Sequence, residues 1–365
     1  MIKGMDVSTL REVEACGGRF RLGNERGDAL GILKRCGANL IRLRVWNDPF
    51  SEDGAPYGGG GNDLETTLQI AARAKALGLD WMVTFHYSDF WSDPGKQRVP
   101  KAWRALDAEA MAQAVYTFTR NALAEMLRRD LLPACVCVGN EITNGLLWPL
   151  GQVPNFHNIA AFVGAGLRAA REIAPAARTM LHLDAGGDNP LYRAWFDSYY
   201  AAGGADFDII GLSYYPFWHG PLSGLADNMN DLAGRFGKDM IVVETAMGFT
   251  QQSYAGYEQL VEGWRKGPCA RPEIAARVPY PMMPEGQRDF LRDLAAVIRR
   301  VPGGRGLGFV YWEPAWLPVP GSGWATPPAL DYIRESGPGG NEWANLCLFD
   351  YEGHALPALE ALGEL

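Results

Sequence analysis

Residues 40–46 read Leu40-Ile41-Arg42-Leu43-Arg44-Val45-Trp46, and residues 81–86 read Trp81-Met82-Val83-Thr84-Phe85-His86. Both runs are short, apolar and rich in β-branched or aromatic residues, the marks of buried strands. Between them, residues 63–77 begin at the capping residue Asp63, set Leu64, Leu68, Ala71 and Ala72 on one face, and stop at Gly78. That pattern predicts an amphipathic helix. Strand, helix and strand in this order imply two parallel strands joined by a right-handed crossover.

The unit recurs along the chain. Runs at 2–7, 135–141, 180–183, 209–214, 240–244 and 308–312 bring the strand candidates to eight, and segments 109–129, 158–173, 190–202, 222–236 and 287–300 carry the helical period. Eight such units close into an α/β fold, a (β/α)₈ TIM barrel with long βα loops, expected as a single catalytic domain over residues 1–365. A doubly wound sheet is the main alternative. It is disfavoured because no glycine-rich phosphate turn follows the first run.

Composition narrows the function classes. The chain has 365 residues, 47% of them hydrophobic, and a formal net charge of -8 without a basic run. Nucleic acid and anionic membranes both require clustered Lys and Arg, so neither is an expected partner. No apolar stretch reaches the ~18 residues of a membrane span. The N-terminus, Met1-Ile2-Lys3-Gly4-Met5-Asp6, lacks the apolar region and cleavage site of a signal peptide. The chain therefore reads as cytoplasmic, or as one whose leader has been removed. None of the six Cys forms a C-x-x-C pair. Cys135 and Cys137, two apart on a strand, face the same way, and all six read as small buried hydrophobes rather than a disulfide framework.

In such barrels the active site lies at the C-terminal ends of the strands. Seven candidate strands end in polar groups there, and two of them end in a glutamate: Val138-Gly139-Asn140-Glu141 on the fourth and Val242-Val243-Glu244 on the seventh. Strands four and seven face each other across an eight-stranded barrel, so Glu141 and Glu244 are expected to converge from opposite walls. Two opposed carboxyl groups are what glycoside hydrolysis requires, one as acid and one as nucleophile or base. Tyr215 on the neighbouring strand is placed to donate to Glu244 and keep it ionised. Repulsion from ionised Glu244 is expected to keep Glu141 protonated, and the Asn140 amide can reach a sugar 2-hydroxyl. Trp46, Trp91, Trp148, Trp218, Trp312 and Trp316 fall in or beside predicted βα loops, where flat rings can stack on sugars or pack the core.

Other patterns carry less. His86, His182 and His219 with Asp184 match no metal-ligand spacing, so neither a metal nor a cofactor is expected. The run Gly58-Gly59-Gly60-Gly61 lacks the following G-K-[ST] of a phosphate loop and reads as a flexible or tightly turned rim. No G-x-S-x-G elbow is present. Alternatives are a barrel that binds carbohydrate without cleaving it, for which two glutamates would be superfluous, and a phosphate-binding aldolase or isomerase barrel, for which the strand-end Lys and phosphate loop are missing.

The strings Ile41–Trp46, Phe85–Trp91, Val138–Ile142, Gly145–Pro149, Gly211–Gly220, Val242–Ala246 and Tyr311–Trp316 closely resemble glycoside hydrolase family 53, in order, from about Lys3 to Leu359. The resemblance implies an arabinogalactan endo-β-1,4-galactanase that acts on β-1,4-galactan or galacto-oligosaccharides with a retaining mechanism; a monomer is expected. It assigns the acid/base to Glu141 and the nucleophile to Glu244. It places Arg44, Asn140, Tyr215 and Trp312 around the glycone-side sugar, and His86, Trp91, Asp184, Trp218 and His219 along the cleft. A related retaining enzyme on another β-glycan, or an exo-acting β-galactosidase, is the alternative. Secretion is typical of the family. Some bacterial members bind calcium after the seventh strand; residues 251–268 lack Asp, Asn and His, so no calcium is expected at that place.

Overall fold

A computed structural model of the protein describes residues 1–254, 271–337 and 339–365. Strands β1 (Ile2–Asp6), β2 (Leu40–Val45), β3 (Asp80–Phe85), β4 (Cys135–Val138), β5 (Arg178–Leu183), β6 (Ile209–Ser213), β7 (Asp239–Thr245) and β8 (Gly306–Tyr311) form a closed parallel barrel in sequence order. Helices α1 (Ala29–Arg35), α2 (Leu64–Ala76), α3 (Ala108–Arg128), α4 (Phe156–Ile173), α5 (Asn189–Ala201), α6 (Leu222–Phe236) and α7 (Pro284–Arg299) are the principal crossovers after the first seven strands. The fold is the expected single-domain TIM barrel.

Local chemistry fixes the helix starts. Asp63, Asp107, Asn155 and Asp188 each accept a hydrogen bond from the backbone amide three residues on, which satisfies a donor that has no partner inside the helix. Strand ends differ from the sequence expectation where the backbone turns. β4 stops at Val138 rather than 141, because Gly139 (φ +86°) and Glu141 (φ +47°) leave the extended region. Helix α1 and a short antiparallel hairpin, Phe20–Leu22 with Glu25–Gly27, were not foreseen.

The barrel interior is a small apolar plug of Leu40, Met82, Cys135, Cys137, Met180, Ile209, Ile241, Val243 and Val310. Both strand-four cysteines share one face, as their spacing implied, and that face points inward. The described cysteines are all free, and Cys269 lies outside the described residues. Large and small residues interlock: a Cβ added to Gly211 would fall 2.8 Å from Met180 Sδ.

Alternation along β7 would not by itself point Glu244 at the cleft. Ile241 and Val243 face inward, so the next residue should face the helices. The register shows what intervenes. Leu212 pairs with Val242 but Ser213 pairs with Glu244, and on the other side Phe309 pairs with Val242 but Tyr311 with Thr245. β7 thus carries one extra residue relative to both neighbours, and this bulge re-aims Glu244 into the barrel mouth.

The four-glycine run is a tightly turned rim, with φ between +65° and +100° at every position. A Cβ on Gly59 would meet the Trp91 ring at 2.9 Å, and one on Gly60 would meet the Ser8 carbonyl at 2.5 Å. Glycine is needed there both for the left-handed backbone and for the close approach.

Tight interior packing makes a stability prediction. Met180→Ala should cost roughly 2–5 kcal/mol through the cavity it leaves, and Gly211→Ala about 1–3 kcal/mol through overpacking. Urea unfolding would measure both, and near-wild-type midpoints would contradict the interlocked plug.

Candidate active site

Arg42 and Arg44 alternate with Leu40 on the inner face of β2, so both guanidinium groups rise into the barrel mouth. Arg42 is almost wholly buried. Its Nη1 lies 2.7 Å from Asp6 Oδ2 and 2.7 Å from Glu244 Oε1, and its Nη2 donates to Asn140 Oδ1 at 2.7 Å. Arg44 Nη2 lies 2.7 Å from Glu313 Oε1, while Thr9 Oγ1 donates to Glu313 Oε2 at 2.5 Å. Buried charges are tolerable only when paired and hydrogen-bonded in this way.

Glu244 is held at both oxygens. Arg42 faces Oε1, and the Tyr215 hydroxyl donates to Oε2 at 3.0 Å. Burial raises its pKa above the ordinary carboxylate range, while Arg42 and Tyr215 pull it down. The sequence expectation named the tyrosine. It missed Arg42, the stronger partner, whose signal was its place two residues before Arg44 on the same strand face.

Glu141 has no cation of its own among the described residues. Its Oε1 lies 2.6 Å from Ser213 Oγ. Its pKa is driven well above the usual range, first by burial, then by repulsion from Glu244 and Asp184. Burial therefore outranks the Glu244 repulsion on which the sequence reading relied. The two glutamates share one cavity yet differ in kind, one facing a guanidinium and the other a hydroxyl.

That cavity, about 320 Å³, is of the size that receives small-molecule ligands. It gathers the two glutamates and every position assigned from the family resemblance: Arg44, His86, Trp91, Asn140, Glu141, Asp184, Tyr215, Trp218, His219, Glu244 and Trp312 all line it. Trp46 Nε1, a donor only, contacts His86 Nδ1 at 3.2 Å, so Nδ1 accepts and the neutral ring carries its proton on Nε2. Burial and the two arginines hold His86 neutral. Its buried Nε2 and Asp184 Oδ1 have no protein partner among the described residues, which leaves one donor and one acceptor on the cleft wall. The Asn140 amide is already engaged, donating to the Ser92 carbonyl at 2.9 Å, so only its second hydrogen remains for a ligand.

The tryptophans divide by environment. Trp46 and Trp316 are fully buried core residues, and Trp148 lies outside the cleft with its Nε1 on the Asn144 carbonyl. Trp91, Trp218 and Trp312 form walls, joined by Trp324 and Trp343 from the long loop after β8. Those two were missed because their segment carries no strand-end signature. Trp218 is 44% exposed and stands edge-on to Trp343, 6.0 Å between centroids. The Arg44 guanidinium lies 4.2 Å from the Trp91 ring centre, a cation–π contact that fixes this wall. Among the described residues no three His, Cys, Asp or Glu side chains are grouped to hold a metal ion. The expectation about calcium after β7 falls largely on residues 255–270, outside the described chain.

A parallel barrel whose mouth sets two unlike buried glutamates between aromatic walls belongs to the glycoside hydrolases. The chain is a member of glycosyl hydrolase family 53, whose family model matches residues 2–362. It is 35% identical over 378 residues to an endo-β-1,4-galactanase of Bacillus subtilis (strain 168), covering 98% of this chain and 84% of that one. The catalytic domain of a family 53 glycoside hydrolase from Ignisphaera aggregans superposes with a TM-score of 0.90 at 36% identity, over 99% of this chain and 95% of that one. A fungal β-1,4-galactanase structure gives 0.81 at 28% identity, covering 100% and 99%.

The floor of the site makes its own prediction. Arg42→Met would leave Glu244 buried without its cation and Asp6 with only the longer Arg44 contact at 3.4 Å, and breaking such a pair costs about 3–5 kcal/mol. The loss should be largest at neutral pH and should shrink as acid protonates Glu244. Urea unfolding of wild type and variant at two pH values would show it; an equal loss at both would argue against charge pairing as the cause.

Proposed function

We propose that this enzyme is an endo-acting β-1,4-galactanase that cleaves with net retention of configuration, Glu141 serving as acid/base and Glu244 as nucleophile. The observation that carries this reading is the contrast between the two glutamates in one cleft. An acid must hold a proton, and Glu141 is buried without a cation. A nucleophile must be ionised, and Glu244 faces Arg42 and Tyr215. The galactan substrate follows from the activity named for the Bacillus subtilis and fungal relatives.

In this mechanism the sugar C1 lies over Glu244 while Glu141 gives its proton to the glycosidic oxygen as that bond breaks. Glu244 forms an ester to C1, and its negative charge is lost. The repulsion on Glu141 falls, and the carboxylate left after proton transfer takes a proton from water as the water attacks C1. Arg42 and Tyr215 receive the carboxylate again when the ester is cleaved. His86 Nε2 and Asp184 Oδ1 are available for sugar hydroxyls, and the exposed Trp218 beside Trp343 offers ring faces to a chain running along the cleft.

Three measurements test the proposal. Glu244→Gln should lower turnover of linear β-1,4-galactan by roughly 10³-fold or more with the fold intact; a variant of near-normal activity would remove Glu244 from the mechanism. A time course by proton NMR should show β-anomers formed first and a spread of oligosaccharide sizes early. First-formed α-anomers would indicate inversion, and release of monosaccharide alone would indicate exo-action. The pH profile of kcat/KM should be bell-shaped, rate being lost at low pH as Glu244 protonates and at high pH as Glu141 ionises. Tyr215→Phe removes a donor from the Glu244 carboxylate, so its pKa rises and the acid limb should move to higher pH; a limb that stays in place or moves down would contradict that contact.

A further inference from the structure

Behind Glu141 stand two fully buried side chains that the mechanism above does not use, Ser213 at the end of β6 and His182 on β5. Ser213 Oγ is 2.6 Å from Glu141 Oε1 and 2.8 Å from His182 Nε2. His182 Nδ1 is 3.1 Å from Asn140 Oδ1, which Arg42 Nη2 approaches to 2.7 Å.

Donor and acceptor roles along this chain can be assigned from its fixed end. A guanidinium only donates and a backbone carbonyl only accepts. Arg42 on one side and the Ser92 carbonyl on the other therefore fix the Asn140 amide with its oxygen toward Arg42. His182 Nδ1 faces that same oxygen, so Nδ1 carries a hydrogen. Burial, with Arg42 nearby, holds the imidazole neutral, which leaves Nε2 as an acceptor. Nε2 then takes the single hydrogen of Ser213. The Ser213 oxygen consequently faces Glu141 Oε1 as an acceptor, and the chain closes only when that carboxyl oxygen carries a proton. The opposite tautomer would have Nδ1 accept from the Glu141 amide, but at 3.4 Å, and would set two lone pairs together at 3.1 Å.

We infer that Ser213 and His182 are positioning residues for the Glu141 proton, the one Ser213 hydrogen pointing to His182 Nε2 in the resting acid and turning to the Glu141 carboxylate once its proton has gone. This rests on the reading of Glu141 as acid/base. No proton travels along the chain. The carboxyl proton passes to the leaving oxygen as the C–O bond breaks; a half-turn of the carboxyl about its soft terminal torsion presents it to the cleft. His182 keeps its Nδ1 hydrogen throughout, and only the serine hydroxyl rotates. Because His182 competes with the carboxylate for that hydrogen, it favours the protonated form of Glu141. The titratable and charged groups facing the pair are Glu244 from β7, Asp184 from β5, Asp93 and His86 after β3, Arg42 from β2, Tyr215 after β6 and Tyr192 from α5. All remain in the variants below.

His182→Met replaces the ring by an apolar chain that cannot accept, freeing the Ser213 hydrogen for the Glu141 carboxylate. The basic limb of kcat/KM should then move to lower pH by roughly one unit, the effect of a hydrogen bond to a charged group. Adding the same change to Ser213→Ala should move the limb no further. An unmoved or raised limb, or an equal shift without Ser213, would overturn the proposal. Neutron diffraction from the unaltered enzyme reads the chain directly, whether or not the variants fold. Deuterium on His182 Nδ1 with the Ser213 deuterium toward Nε2 is expected, and deuterium on Nε2 would refute it. Full activity of Glu141→Gln would instead reject Glu141 as the acid, a failure separate from the neutron result.

Discussion

Arg42 is a guanidinium sealed from water with Asp6, Glu244 and Asn140 around it. A charge in that position is costly to bury, and each neighbour lowers the cost only in its present orientation. On the cleft floor two guanidiniums, Arg42 and Arg44, already face three carboxyl groups, Asp6, Glu244 and Glu313, so neither is left over for Glu141. Ionising Glu141 would add a buried carboxylate beside Glu244 and Asp184 with no cation facing it. The floor therefore favours a neutral Glu141 before any sugar arrives, and the difference between the two glutamates is a property of the whole network rather than of either residue.

The same arginine also orders what lies behind Glu141. By fixing the Asn140 amide it sets the tautomer of His182, and through Ser213 the orientation of a hydrogen at Glu141. One buried cation thus faces Glu244 directly and reaches Glu141 through three side chains. Networks of this kind are rigid because every member is over-determined, which suits the opposite protonation states proposed for the two carboxyl groups of one cavity.

The backbone contributes where regular strands would fail. A bulge in β7 turns Glu244 away from the helix layer, and a left-handed residue at Glu141 ends β4 early and lifts its side chain into the mouth. Glu313, just past β8, is left-handed too, at φ +46°. Side chains so placed cost conformational energy that the surrounding contacts must offset. The four-glycine rim completes the arrangement by letting the backbone pass against Trp91.

Alternating apolar runs and amphipathic segments, with Asp and Asn at the helix starts, were enough to determine the barrel, because period and capping are local properties of a chain. Strand order was enough to set Glu141 and Glu244 in one cleft with Tyr215 at hand. The sequence did not determine which arginine meets Glu244, since Arg42 and Arg44 share a strand face and only depth in the barrel separates them. Nor did it reveal that Trp46 and Trp316 are core while Trp324 and Trp343 are wall. The position of Glu244 was legible although its aim was not: simple alternation points it outward, and the register slip against both neighbouring strands turns it in. Such features depend on pairings between residues far apart in the chain, so only the closed barrel decides them.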